Sequence, residues 1–249
     1  MQYGICNLSI VPLRIEPSDP SELVSQVLYG EIFKVLEQRK SWSRIRLAFD
    51  NYEGWIDNKQ YLEISEDTYK TIKDQDPILS TDLIEFVQGD NNQLYTIPIG
   101  SSLNGLEIIG HTFDGHSIST KQDKSNLLKT AFTYLNAPYL WGGKTPFGID
   151  CSGFTQMVYK INGHTILRDA SQQATQGQAL SFIEESEPGD LAFFDNQEGL
   201  ITHVGIIMED NYIIHAHGKV RIDRLDHSGI YNTDRGIHTH KLRVIKKII

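Results

Sequence analysis

The sequence predicts an α+β chain: a small all-β barrel in front, a second short β unit, and an α+β domain over residues 119–249. Three observations predict this. Up to about residue 64, apolar residues alternate in short runs broken by turn residues, the period-two signature of half-buried strands. Near residue 119 the apolar spacing changes to three and four, the helical period. Beyond residue 190 the chain returns to strands, and helices followed by a run of antiparallel strands form an α+β layer.

The elements follow in order. "SIVPLRI", "GEIFKVLEQ", "WSRIRLA" and "EGWID" each alternate apolar residues, "PSDPSE" is a turn-rich loop, and "DNYEG" joins two strands as a hairpin. These define a first domain over 1–64. "SEDTYKTIKDQD" is a linker or short helix. "LIEFVQG", "QLYTIPIG" and "LEIIGHTF" are expected strands of a second small β unit within 65–118. "DKSNLLKTAFTYLN" places Leu127, Leu128, Ala131, Phe132 and Leu135 at helical spacing, with Pro138 as a stop. "CSGFTQMVYKIN" puts Phe154, Met157, Val158 and Ile161 on one helical face. "SQQATQG" gives a third short helix. "GDLAFF", "HVGIIM", "NYIIHAH" and "LRVIKKI" are strands.

Composition excludes some functions. A net charge of −9 argues against nonspecific nucleic-acid binding, which needs clustered Lys and Arg. No stretch is long and apolar enough to span a bilayer, so no membrane partner is expected. "MQYGICNLSIVPLR" lacks a basic region followed by an apolar one, so a cytoplasmic location is expected. The two cysteines are far apart and suit a reducing compartment.

One of those cysteines lies in "FGIDCSGF". Asp150 is a favoured N-cap residue. Cys151 then falls in the first helical turn, where the helix dipole and free N–H groups stabilise a thiolate. The octapeptide alone leaves two readings open, an activated nucleophile or a small buried residue.

A cysteine nucleophile needs a base, and the base needs an orienting group. His203 opens one strand of "HVGIIMEDNYIIHAH" and His215 lies near the end of the next. Side chains alternate faces along a strand. If Glu209-Asp210-Asn211 is a three-residue loop, Met208 pairs with Tyr212, His203 faces His217, and His215 shares its face diagonally. A two-residue loop sends His215 to the opposite face unless a bulge corrects the register. For His111, His116, His164, His227, His238 and His240, a surface or structural role is the expectation.

The combined pattern resembles the NlpC/P60 peptidases, papain-like cysteine enzymes that cleave cell-wall peptides. "APYLWGGKTPFGIDCSGFTQMVY" is similar to the family's nucleophile segment, "EPGDLAFF" to the strand ahead of its histidine, and "THVGIIMEDNYIIHAHG" to its base hairpin. The resemblance implies Cys151 as nucleophile, His203 as general base and His215 as the third residue, with His217 a competing position for the third. It implies Tyr139 near the oxyanion and Trp141 in the substrate groove. It also implies substrate contacts at Ser152 and at Ser171 in "RDASQQ", which also holds Arg168. The front of the chain, "VPLRIEPSDPSELVSQVLYGE" with "NYEGWID", resembles the bacterial SH3-like domain of γ-D-glutamyl-L-diamino acid endopeptidases. That subgroup implies Glu22, Tyr52 and Asp150 as acceptors for the free L-Ala amine of the substrate, where carboxylates supply charge-assisted bonds. It implies no metal and no cofactor. The expected partner is a peptidoglycan-derived peptide, L-Ala-γ-D-Glu-diamino acid. Three rivals remain: a wall-peptide-binding module, an acyl transferase acting on lipid or another amine, and an extracellular peptidoglycan hydrolase.

Overall fold

Alternating residues in the first quarter of the chain become a seven-stranded antiparallel sheet. The computed structural model describes residues 2–249. The strand order is Leu23–Leu28, Ile10–Arg14, Glu53–Asp57, Trp42–Leu47, Ile32–Gln38, Gln2–Ile5, Leu62–Ile64. Val11, Leu13, Val27, Phe33, Val35 and Ile45 pack as its core. Leu23–Leu28 is an unexpected strand. Its Ser25 is fully buried, so a polar residue at an inward position hides the alternation. "SEDTYKTIKDQD" supplies the helix Glu66–Lys73, capped by Ser65, whose side chain accepts from Thr68 N–H at 3.0 Å. Tyr69 and Ile72 seat this helix against Tyr3, Ile5 and Ile32.

The strands Ile84–Gln88, Leu94–Pro98 and Thr112–Phe113 form a separate three-stranded sheet. One expectation fails here. "LEIIGHTF" is not a single strand, since Leu106–Ile109 is a helical turn ended by Gly110 in the left-handed region at φ 76°. The N–H of His111 closes the turn on the Leu106 carbonyl. A glycine terminator of this kind outweighs two adjacent isoleucines.

The described chain divides into two compact units. One contains residues 2–121 together with Trp141–Pro146, and the other residues 122–140 and 147–249. In the first unit, the fully buried Lys144 sets its Nζ 3.4 Å from Glu31 Oε1, while its N–H donates to Gln26 Oε1 at 2.6 Å. A buried ammonium is tolerable only when paired in this way.

The second unit starts with the helix Asn126–Thr133. Leu127 and Ala131 are buried as expected, but Phe132 and Leu135 are exposed. The helix stops at Thr133, so the buried Tyr134 takes up the packing instead. The helix Cys151–Ile161 is buried along its whole length. Six antiparallel strands follow: Leu191–Asp195, Ile201–Ile207, Tyr212–His217, Lys219–Asp226, Gly229–Asn232 and Ile237–Lys247. The last pairs with both Leu191–Asp195 and Gly229–Asn232, which closes the six into a barrel. Gln178–Leu180 adds to its outer side through Ile237–Lys247. Phe194, Ile207, Ile213, Leu225, Ile230 and Ile245 form one apolar cluster of this sheet.

Closure requires one glycine. Gly229 has φ +136°, and a Cβ there would lie 1.8 Å from the His240 carbonyl oxygen. Gly218 also has positive φ, +72°, but with open space around it. Gly218→Ala should therefore cost only the left-handed conformation, about 1 kcal/mol. Gly229→Ala should cost about 3 kcal/mol or more, because a backbone clash adds to it. Urea unfolding of both variants checks the difference.

Candidate active site

The helix Cys151–Ile161 begins at an extended Asp150, whose Oδ1 accepts from Gly153 N–H at 2.6 Å. Asp150 is the N-cap, and it does more. Arg168, 1% exposed, donates Nη2 to Asp150 Oδ2 at 2.7 Å and Nη1 to Oδ1 at 3.0 Å. The same Nη1 reaches Ser152 Oγ at 3.0 Å. Gln173, on the short helix Ala170–Gln173, donates to the Ser152 carbonyl at 2.9 Å and accepts from Thr155 Oγ at 2.8 Å. A buried polar lattice thus fixes the start of the helix Cys151–Ile161.

Cys151 is 6% exposed, and its Sγ lies 4.0 Å from the Thr202 carbonyl. Burial pushes its thiol up to about 12, helped by the Asp150 charge and opposed by the N–H groups of Val204 and Ser152 and by Arg168. Desolvation therefore outweighs these N–H groups and the guanidinium in the resting site, and the thiol keeps its proton. The sulfur meets the strand Ile201–Ile207 where its pairing with Leu191–Asp195 slips. Phe194 opposes His203 and Asp195 opposes Ile201, leaving Thr202 in a bulge.

The hairpin after that strand has the odd loop. Glu209–Asn211 forms one 3-10 turn with Asp210 and Asn211 at positive φ, and Met208 N–H donates to the Tyr212 carbonyl. Gly205 pairs with His215, which sets His203 and His215 on one face as the three-residue loop requires. His203 Nε2 lies 2.8 Å from His215 Nδ1, and His215 Nε2 lies 3.0 Å from Asp223 Oδ2. His217 has its ring centre 6.3 Å from that of His203, so the hydrogen bond goes to His215.

Asp223 was not anticipated, and it decides the proton arrangement. Burial opposes its charge, but hydrogen bonds from His215 and Arg221 outweigh burial and bring it down to about 2. Arg221 grips both carboxylate oxygens, at 2.7 and 2.9 Å. An ionised carboxylate only accepts, so His215 Nε2 carries the hydrogen. Neutral His215 then accepts at Nδ1 from His203 Nε2–H, which leaves His203 Nδ1 with a free lone pair. His203 is held well below 6.5 by burial and by His215, His240 and His217. It is a neutral base.

Tyr139 is half-buried, with its N–H bound to the Gly218 carbonyl. Burial, together with the Cys151 and Asp150 charges, raises its phenol, so it stays an O–H donor. Ser171 is exposed on the short helix Ala170–Gln173. Glu22, Tyr52 and Trp141 lie in the other unit. There the exposed Trp141 donates Nε1–H to Glu22 Oε1 at 2.7 Å, and Tyr52 packs against the barrel core.

The profile of the NlpC/P60 family matches residues 136–239, and that of a bacterial dipeptidyl-peptidase Sh3 domain matches 13–60. Dipeptidyl-peptidase 6 of Lysinibacillus sphaericus is 30% identical, over 86% of this chain and 88% of its own. The chain belongs to the NlpC/P60 family. A gamma-D-glutamyl-L-lysine dipeptidyl-peptidase of Bacillus subtilis (strain 168) is 29% identical, over 77% of this chain and 71% of its own. In fold, an NlpC/P60 family protein of Bacillus cereus superposes with a TM-score of 0.80 at 20% identity, covering 99% of both chains. This NlpC/P60 cysteine peptidase therefore carries its site on a papain-like α+β domain with an SH3-like barrel in the same chain.

Within this NlpC/P60 domain, sequence reading missed Asp223 and His240. "KVRIDRLD" does alternate, but an acidic residue at an inward position looks like a solvent-facing one. His240, expected to be structural, stacks on His203 with ring centres 4.1 Å apart. Among the described residues, no three His, Cys, Asp or Glu side chains are grouped to hold a metal ion.

Asp223→Asn tests the proton arrangement. The amide can donate to His215 and reverse its tautomer, as removal of the orienting carboxylate does in a Ser-His-Asp triad, where the loss is about 10⁴. Here the effect passes through one more imidazole, and kcat should fall by at least about 10²-fold while circular dichroism shows a folded protein.

Proposed function

We propose that this chain hydrolyses the γ-D-glutamyl–L-diamino acid bond of wall-derived peptides bearing a free N-terminal L-Ala, in a cytosol where unpaired Cys6 and Cys151 stay reduced. The observation that carries the reaction type is the buried chain His203–His215–Asp223, which leaves one imidazole nitrogen free as base. The substrate class is supported by the relatives named gamma-D-glutamyl-L-lysine dipeptidyl-peptidase and by the matched Sh3 domain.

The steps follow from the groups. His203 Nδ1 takes the thiol proton as Cys151 Sγ adds to the γ-carbonyl carbon. The oxyanion is met by N–H groups at the helix start and by the Tyr139 hydroxyl. Protonated His203 gives its proton to the departing amine as the C–N bond breaks, leaving a thioester. Water attacks the thioester carbon as His203 takes its proton, the C–S bond breaks, His203 returns that proton to the sulfur, and the acid product ionises in solution. The substrate ammonium is assigned to Asp150. Asp150 enters that role with both oxygens already engaged by Arg168, so it contributes charge shared with a buried guanidinium. A binding module without activity is disfavoured, because a complete proton chain has no use in mere binding.

Cys151→Ala should abolish turnover, below about 10⁻⁴ of wild type, with the thermal midpoint little changed. Mass spectrometry should show cleavage of L-Ala-γ-D-Glu-diaminopimelate, or its lysine analogue, and not of the N-acetylated forms. Equal cleavage of both would sink the amine preference.

The pH profile has a defined sign. His203 must be neutral to act, and its value lies well below 6.5. The base therefore survives as pH drops through 6.5, and kcat/KM should lose its acid limb only well below that. At the other end, the substrate's α-ammonium ionises near about 8, so kcat/KM should decline above it through KM.

A further inference from the structure

His240 lies one residue beyond the matched family segment, 136–239, and nothing so far gives it a task. Its placement is built in detail. The strand Ile237–Lys247 carries two slips. Opposite Gly229–Asn232, Ile230 faces His240 while Tyr231 faces His238, leaving Thr239 extra. Opposite Leu191–Asp195, Phe194 faces Leu242 while Phe193 faces Val244, leaving Arg243 extra. Bulges re-aim side chains beside active sites. Here they bracket His240 and set it on the face that carries Ile230 and Phe194.

On that face the His240 ring is boxed in. It lies 4.1 Å from His203 at 25°, a stack. It meets His217 edge-on at 4.7 Å and 90°, His215 at 5.8 Å and 84°, and Phe194 at 6.0 Å and 65°. Its Nδ1 lies 2.9 Å from Oγ1 of Thr239, the bulge residue itself. The ring is partly buried among these neighbours, and the face it offers to His203 is flat and preoriented.

His203 needs this support. One hydrogen bond from Nε2 to His215 fixes a point of the ring, and its plane depends on the groups packed against its faces. A stacked plane holds that orientation, which matters because a misplaced base loses rate steeply. We propose that His240 is a positioning residue that holds the general base His203 in its reactive ring plane by stacking. The proposal rests on the reading of His203 as base, and the experiment below keeps the two apart.

The groups facing His203 and His240 are His215 and His217 from the neighbouring strand, and Asp223 with Arg221 behind His215. Phe194 closes the other side. Stacking is distinguishable from a charge effect among these groups by choice of side chain. His240→Phe keeps a flat ring and loses both nitrogens. His240→Leu keeps bulk and loses the plane. His240→Ala loses both.

Two readouts are measured on the full chain, with circular dichroism confirming fold. The first needs no peptide: the rate of Cys151 alkylation by iodoacetamide across pH 4 to 9, which reports His203 acting on the thiol. The second is kcat and KM on the γ-glutamyl peptide. The Leu and Ala variants should slow alkylation and lower kcat by about tenfold, the scale of one lost aromatic pair, with KM unchanged. The Phe variant should restore both to within about twofold with the wild-type pH profile. Wild-type behaviour of the folded Leu variant overturns the proposal, as does a Phe variant as slow as Leu, which would assign the role to the imidazole nitrogens. If alkylation follows the proposed order while no γ-glutamyl peptide is cleaved, the substrate reading fails and the positioning role stands.

Discussion

The ionised carboxylate of Asp223 governs the active site. It is a fully buried charge, and Arg221 and His215 together make that burial tolerable. Because the anion only accepts hydrogen bonds, every donor and acceptor along the chain acquires one direction. His215 must donate to it, must therefore accept from His203, and His203 is left with one basic nitrogen. Burial then keeps both imidazoles neutral. A proton-relay column of two histidines works only with such an anchor, since two imidazoles alone have no preferred tautomer.

The barrel makes that column possible. Asp223, His215 and His203 lie on three adjacent strands, and their alignment depends on two registers. The three-residue turn at Glu209–Asn211 fixes one, and the tight return from His217 to Lys219 through Gly218 fixes the other. The bulge at Thr202 turns the opening of the first strand toward the nucleophile helix, so that the sulfur meets backbone at residues 202 to 204. Gly229 allows the strand Gly229–Asn232 to close against the His240 carbonyl on the last strand.

Asp150 shows how one side chain can hold two segments together. Its oxygens take Gly153 N–H and the fork of Arg168, so it caps the nucleophile helix and anchors the segment that carries Ser171. The bidentate geometry explains why a guanidinium stands there, since an ammonium could not span both oxygens. Ser152, held by the same guanidinium, is fixed as part of the lattice.

Much of this was legible in the amino-acid sequence, for a physical reason. Cys151 behind an N-cap and His203 with His215 around a short turn are local relations, and period-two arithmetic with an odd loop places both imidazoles on one face. The helix Cys151–Ile161 and most strands follow from apolar spacing in the same way. Elsewhere local reading failed, because position was settled by distant partners. Ser25 is buried by neighbouring strands, Leu106–Ile109 is ended as a helix by Gly110, and Leu135 is left exposed beyond an early helix stop. Asp223 and His240 enter the site through strand pairings and bulges that no local period encodes. The sequence by itself determined the reactive groups. The closed barrel decided which of them touch, because burial and register are properties of the whole sheet.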